Sequence, residues 1–302
     1  FQGRPARLHR ETCAALERPL KANMNPSKQA HGEQDILVDR SREGVALLTP
    51  NRPARPNALT QPTVRPLCPA IDDLAQDDSA RVLVITGAGR GFCAGWDLAS
   101  PLTRRDDAPL EGEPTVADLM AGQELFAGMV RRLRALDKVV IAAVNGAAVG
   151  AGFALTLGAD IRVAARSASF HVGAVRIGLT AGECGISYHL PRLVGASRAF
   201  ELMLTGRPLP AEEADRIGLL AALVDHSDLL PRALALATDV LRNSPYATRH
   251  TKQLMWANLQ APSLDAALEV ENRAQVLALK TEDFREAAVA FAAKREPRFS
   301  GR

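Results

Sequence analysis

Apolar positions along this chain fall into short unbroken runs that alternate with longer amphipathic stretches. Val82 to Thr86 and Val139 to Val144 are the clearest runs, and each stops at glycine-rich sequence, which predicts strands buried on both faces. Ile36 to Arg40 and Val45 to Thr49, split by Ser41-Arg42-Glu43-Gly44, read as a hairpin. Ile161 to Ala165, Ser169 to Val172 and Leu219 to Val224 add further strands. Helical spacing runs through Val116 to Leu136, with Leu119, Leu125, Met129, Val130, Leu133 and Leu136 on one face. A helix from Thr60 to about Gln76 is expected to be kinked or to start late because of Pro66 and Pro69. Short helices are expected at Phe153 to Leu157 and Ser197 to Leu204. Pro210 to Gly218 is another, with proline and acids at its start and glycine at its end. From Leu229 to Arg295 the pattern is almost wholly helical, broken at Asn243-Ser-Pro245 and Ala261-Pro262.

This organisation predicts an α/β chain in three parts: a tail over residues 1–34, a core over 35–225 and a helical region over 226–302. Phe1-Gln2-Gly3 reads as the remainder of a cleavable tag and Met24 as a natural start. Arg4, Arg7, Arg10 and Arg18 suggest a transit peptide that Glu11 and Glu17 argue against. With 302 residues, 47% of them hydrophobic, the chain can bury one large core. A formal charge of +3 is far from that of a dedicated nucleic-acid binder. Cys13, Cys68, Cys93 and Cys184 have no metal-ligand spacing, and no apolar run is long enough for a membrane span. The expectation is a reduced, cytoplasmic protein with no metal, no nucleic-acid partner and no membrane contact.

The candidate chemistry lies where the two buried strands end. After Thr86, glycines at 87, 89, 91 and 95 let the backbone turn sharply and approach a ligand. Gly87 and Gly89 open a dinucleotide-like spacing, but the third glycine and the helix of that motif are missing. The second strand runs into Asn145-Gly-Ala-Ala-Val-Gly-Ala-Gly152, a small-residue turn that opens a helix. Two parallel strands that each feed such a turn set two clusters of backbone N–H groups on one edge of one sheet, where open α/β folds bind ligands. Ser100 to Pro114 is a charged, proline-punctuated loop beside them.

Several motifs then occur in one order: Asn51-Arg-Pro with Asn57-Ala-Leu59, Gly91-Phe-Cys-Ala-Gly-Trp-Asp-Leu98, Val144-Asn-Gly-Ala-Ala-Val-Gly-Ala-Gly152, Leu190-Pro-Arg-Leu-Val-Gly195 and Glu201-Leu-Met-Leu-Thr-Gly206. From about Ile36 to Arg302 the chain resembles the enoyl-CoA hydratase/isomerase (crotonase) superfamily. The resemblance implies an α/β spiral of ββα units, a C-terminal helical trimerisation region, and trimers or hexamers built as dimers of trimers. It implies acyl-CoA thioester substrates, with coenzyme A part of the substrate and no separate cofactor. It also implies an oxyanion hole made by the N–H groups of Trp96 and Ala151, flanked by Ala94, Gly95 and Gly150. Such donors stabilise a thioester enolate by roughly 3 kcal/mol each.

The two glutamates common in family hydratases map to Ala154 and Ala174, neither of which can move a proton. Glu183, five residues before Tyr188, falls where the family's isomerases and some relatives place a single carboxylate. One carboxylate is enough to take a proton from C2 of a 3-enoyl-CoA and return it at C4. A helix-start carboxylate that satisfies N–H groups is the competing structural reading of Glu183. His171, Tyr188 and His189 read as packing or surface residues, and Cys93 and Cys184 as small core residues. By resemblance, CoA contacts fall on Arg52, Arg55 and Ala58, with Phe291 and Lys294 of the last helix near the nucleotide end; Asp97 is expected to anchor the loop. Segments such as Ser100 to Met120 would line the acyl pocket. The readings left open are an isomerase acting through Glu183, a hydratase or another crotonase reaction, and a non-catalytic acyl-CoA-binding protein.

Overall fold

The computed structural model describes residues 35–100 and 110–302. The expectations for the leading tail, Cys13 included, and for most of Ser100 to Pro114 lie outside the described residues. The described residues belong to one compact unit.

The first strands, β1 (Ile36–Arg42) and β2 (Gly44–Pro50), form the expected hairpin, with both strands running closer to the turn than the sequence pattern implies. The next three strands, β3 (Ala80–Ile85), β4 (Val139–Val144) and β6 (Ile161–Ala165), lie parallel, and with β9 (Ala222–Val224) they complete a six-stranded sheet of order β1-β2-β3-β4-β6-β9. Parallel neighbours need long crossovers. These are α1 (Gln61–Gln76), α2 (Val116–Ala135) and α3 (Ala151–Gly158).

Both faces of the sheet are covered, which is why β3 and β4 read as continuous apolar runs. Leu83, Ile85, Val140, Ala142 and Val144 face the main core with the helices α1 to α3. Val82, Val84, Ile141 and Ala143 face a second core, closed by Leu229, Ala233 and Ala237 of α7 (Leu229–Leu241).

Helix α1 corrects the expectation of a late start, because it begins at Gln61 and runs to Gln76 with Pro66 and Pro69 inside it. Thr60 and Thr63 form a reciprocal cap, and Val64, Leu67, Cys68, Ile71 and Leu74 are buried; that burial offsets the lost backbone bonds. A second correction concerns Asn145 to Gly152, which is more than a turn. It contains β5 (Ala147–Val149), which pairs with β7 (Ser169–His171) and through it with β8 (Pro208–Pro210) in a separate three-stranded sheet. Only three residues long and made of Ala-Ala-Val, β5 has no periodicity to show in sequence.

After β7 come α4 (Ile186–Val194), α5 (Ala196–Thr205) and α6 (Ala211–Arg216). The helical region then continues with α8 (Pro245–Asn258), α9 (Leu264–Ala278) and α10 (Glu282–Ala292), broken at both expected places and once more before Thr281. No residue of α9 is buried, although Leu264, Leu268, Val270, Val276 and Leu277 lie on it.

Candidate active site

The loops after β3 and β4 are bonded into one body. Phe92 and Cys93 N–H both donate to Ala147 O at 3.1 Å, and Val149 N–H donates back to Cys93 O at 2.9 Å. Two buried amides clamp the glycine-rich loop. Asn145 Oδ1 accepts from Gly87 N–H at 3.1 Å, while its Nδ2 lies 2.9 Å from Gly87 O, 2.9 Å from Gly89 O and 3.1 Å from Gly91 O. Asn57, itself in the left-handed region at φ 56, reaches Ala88 O, Gly91 O and Phe92 O through Nδ2 and accepts from Arg52 N–H through Oδ1. A loop of so many glycines has high conformational entropy when free, and these bonds hold it in one shape.

Trp96 follows Gly95 in this frame. Leu59 N–H donates to Gly95 O at 2.7 Å and Asp97 N–H donates to Leu59 O at 2.8 Å, so the bridge to Leu59 uses the groups on either side of Trp96. The N–H of Trp96 points away from that bridge and has no acceptor among the described residues. Ala151 is the first residue of α3, whose start has no side-chain cap; its N–H has no acceptor among the described residues and lies at the positive end of the helix dipole. The two turns are in contact: a Cβ on Gly95 would lie 2.4 Å from Val149 O and 3.4 Å from Ala151 N. Gly150, at φ 52, is held by its own N–H, which donates to His171 O at 3.0 Å.

Glu183 reaches this point from another direction. Two successive left-handed residues, Cys184 at φ 46 and Gly185 at φ 86, turn the chain into α4 and leave the Glu183 side chain over Gly150. A Cβ on Gly150 would sit 2.9 Å from Glu183 Oε1. The carboxylate therefore stands beside the residue that precedes the Ala151 donor. The carboxylate has no hydrogen-bond donor or cation among the described residues, and α4 carries no side-chain cap, so it does not serve as a helix-start group. Burial without a partner pushes its pKa above the ordinary carboxylate value. The left-handed conformation of Cys184 stores strain where the carboxylate is positioned.

Around this centre the walls are unreactive. Ala154 and Ala174 are buried, with 0% and 8% of their surface exposed. Burial raises the thiols of Cys93 and Cys184 to about 12, so both stay protonated at neutral pH. His171 bonds Ser169 Oγ at 2.8 Å through Nε2, and burial lowers its pKa. His189 packs edge-on against Tyr188 and Trp256 and is lowered to about 4 by burial and then by the charges of Arg134, Arg162 and Arg192. No group of three or more His, Cys, Asp or Glu able to hold a metal ion occurs among the described residues.

Of the residues singled out for CoA, Arg52 is turned inward. Its Nη1 donates to Ala58 O at 2.7 Å and lies 3.8 Å from Asp97 Oδ2, so Arg52 and Asp97 brace the loop together. Ala94 N–H is tied to Pro56 O. Arg55, Phe291 and Lys294 are exposed, and no bond links them to the two turns among the described residues. The residues that sequence reasoning left without a role are Asn57 and Asn145. Both lie inside the motifs quoted above; Asn145, followed by Gly146 and small residues, carries a sequence sign of a buried backbone clamp, and Asn57, between Pro56 and Ala58, carries none.

Residues 40–302 match the sequence model of a family described as enoyl-CoA hydratase/isomerase. A probable enoyl-CoA hydratase of Mycobacterium tuberculosis is 42% identical over 274 residues, 88% of this chain and 92% of the relative. The 1,2-epoxyphenylacetyl-CoA isomerase of Escherichia coli is 38% identical over 269 residues, 89% of this chain and 99% of that protein. Among solved structures, a probable enoyl-CoA hydratase/isomerase from Mycobacterium abscessus superposes with a TM-score of 0.81 at 38% identity, covering 89% of this chain and 99% of its own. A monofunctional enoyl-CoA isomerase from Mycobacterium smegmatis gives 0.66 at 41% identity, covering 78% and 99%. With the loops after two parallel strands bonded into one body and a family match over residues 40–302, the chain belongs to the enoyl-CoA hydratase/isomerase family.

Proposed function

We propose that the chain isomerises the double bond of a 3-enoyl-CoA to give the 2-enoyl-CoA, with Glu183 as the single acid/base group. The thioester oxygen would lie between the N–H groups of Trp96 and Ala151. Glu183 removes a proton from C2, and the electron pair spreads over C2 to C4 and the thioester oxygen. The two donors carry the negative charge on that oxygen. Return of the same proton to C4 leaves the double bond between C2 and C3 and the carboxylate as it began, so no cofactor is needed. A desolvated carboxylate with a raised pKa is suited to both halves of this transfer.

The observation that carries the reading is the Glu183 carboxyl standing over Gly150, unpartnered, with alanine at both positions where hydratases of the family commonly have glutamate. Water addition needs a group to activate the water and a second to handle the carbon proton; among the described residues Glu183 is the carboxylate that stands against Gly150, and Asp97 is turned to Arg52. The hydratase names of several relatives keep hydration of 2-enoyl-CoA as the second reading, and a non-catalytic acyl-CoA-binding protein is the third. The exposed apolar surface of α9 supports assembly into trimers or hexamers, and Arg55, Phe291 and Lys294 are proposed to meet the CoA nucleotide from the same or a neighbouring subunit.

The test is spectrophotometric turnover of 3-enoyl-CoA and 2-enoyl-CoA by the wild type and by Glu183→Gln. Isomerisation that falls about 10²- to 10⁴-fold in the variant supports the proposal. Rapid hydration of 2-enoyl-CoA that survives Glu183→Gln overturns it, and tight acyl-CoA binding with no turnover favours the third reading.

A further inference from the structure

A cavity of about 500 Å³ opens between α2 and the start of α4, and Cys184, the neighbour of Glu183, is in its wall. Ala127 and Val130 give it an apolar side suited to methylene groups, while Arg131, Arg134 and Tyr188 line the rest. Arg131 is paired with Glu124. Arg134 has no carboxylate partner among the described residues. Its guanidinium carbon lies 3.5 Å above the ring centre of Trp256, Nη1 is 3.4 Å from His189 Nδ1, and Nε is buried with no acceptor. The hydroxyl of Tyr188 is likewise buried without a partner. Asp160, whose charge acts on Arg134 at longer range, is already engaged by Lys252 at 2.9 Å, Trp256 Nε1 at 2.7 Å and Val140 N–H at 2.8 Å. A half-buried guanidinium without a counter-ion is costly, and its planar fork fits a carboxylate closely.

We propose that this cavity takes the far end of the acyl chain and that Arg134 recognises a carboxylate there, so that the preferred acyl groups are those of dicarboxylic acids. Cys184 and Gly185 of its wall follow Glu183 directly in the chain, which sets the cavity next to the acid/base group, and Arg134 lines it from α2. The proposal rests on the acyl-CoA reading above but concerns binding, independent of which reaction Glu183 performs.

Calorimetric titration of the full chain with saturated thioesters tests it, because these bind without reacting: adipyl-CoA and suberyl-CoA against hexanoyl-CoA and octanoyl-CoA. Wild type should bind one of the carboxylate-terminated ligands roughly tenfold or more tightly than its monocarboxylic counterpart, the size expected of a charge-assisted pair. Arg134→Gln should bring the two within about twofold, chiefly through weaker binding of the carboxylate-terminated ligand. If Arg134→Gln does not fold, the wild-type comparison alone decides. Equal affinities, or tighter binding of the monocarboxylic ligands, overturn the proposal and leave the isomerase reading intact. Failure of all four to bind overturns the acyl-CoA reading and this proposal with it. Free adipate that binds as tightly as adipyl-CoA marks an independent anion site and overturns the assignment to the acyl chain.

Discussion

Replacing Gly95 by alanine tests whether the two backbone donors work as a matched pair. At φ 76 an alanine there is strained, and its Cβ would stand 2.4 Å from Val149 O, a distance that real Cβ atoms essentially never show. The left-handed conformation costs about 1–2 kcal/mol of stability. The clash adds a second effect, since neither atom belongs to a flexible side chain. The Gly95 turn and the Val149–Ala151 turn must move apart by more than half an ångström, and that displaces the Trp96 donor relative to the Ala151 donor. Loss of one such donor is worth roughly 3 kcal/mol in the transition state, or 10²- to 10³-fold in kcat. Gly195→Ala is the control, because Gly195 has φ +84 but no atom within 4 Å of its would-be Cβ. The assay is kcat and KM on 3-enoyl-CoA, with urea denaturation on the same preparations. Gly95→Ala should lose both stability and kcat, and Gly195→Ala stability alone. A Gly95→Ala variant that retains kcat within twofold of wild type would refute the paired-donor geometry.

Three further outcomes are expected. Burial holds Glu183 above 4.5, so the folded chain keeps a proton that the unfolded chain releases, and this group's contribution to stability falls as pH rises past 4.5. Glu183→Gln should therefore gain stability relative to wild type at pH 8 and lose that advantage at pH 4 in chemical denaturation, while wild-type kcat/KM rises with pH through one apparent pKa above 4.5. Asn145→Ala removes the amide that bonds Gly87, Gly89 and Gly91, and should cost roughly 2–4 kcal/mol along with most of the activity, read by Tm and turnover. Lys252→Met removes the buried cation from the partly buried Asp160 and should cost about 3–5 kcal/mol; adding Asp160→Asn should recover part of it in a double-mutant cycle.

The readable parts of this protein were those in which one residue type has one physical use. Val82 to Ile85 and Val139 to Val144 announced buried strands because both faces of the sheet are covered, and Thr60 caps its helix as its side chain predicts. Pro66 and Pro69 did not delay the start of α1, because propensity is local whereas the apolar face of that helix is buried by neighbours far away in sequence. Beta5 was hidden for the same reason: Ala147 to Val149 becomes a strand because β7 is there to pair with it.

The candidate site divides along the same line. From the amino-acid order alone came the two turns that can expose N–H groups, the alanines at 154 and 174, and a glutamate at 183. Tertiary structure decided what those groups do to one another. It brought Glu183 over Gly150 from a loop 33 residues further along the chain, turned Arg52 inward onto Ala58 and Asp97, and used Asn57 and Asn145 to fix a loop too rich in glycine to fix itself. Sequence determines which chemical groups exist and which local turns the backbone can make. Distance and burial arise only when separate segments pack, and these are what leave the Glu183 carboxylate poorly solvated against Gly150, the residue before Ala151.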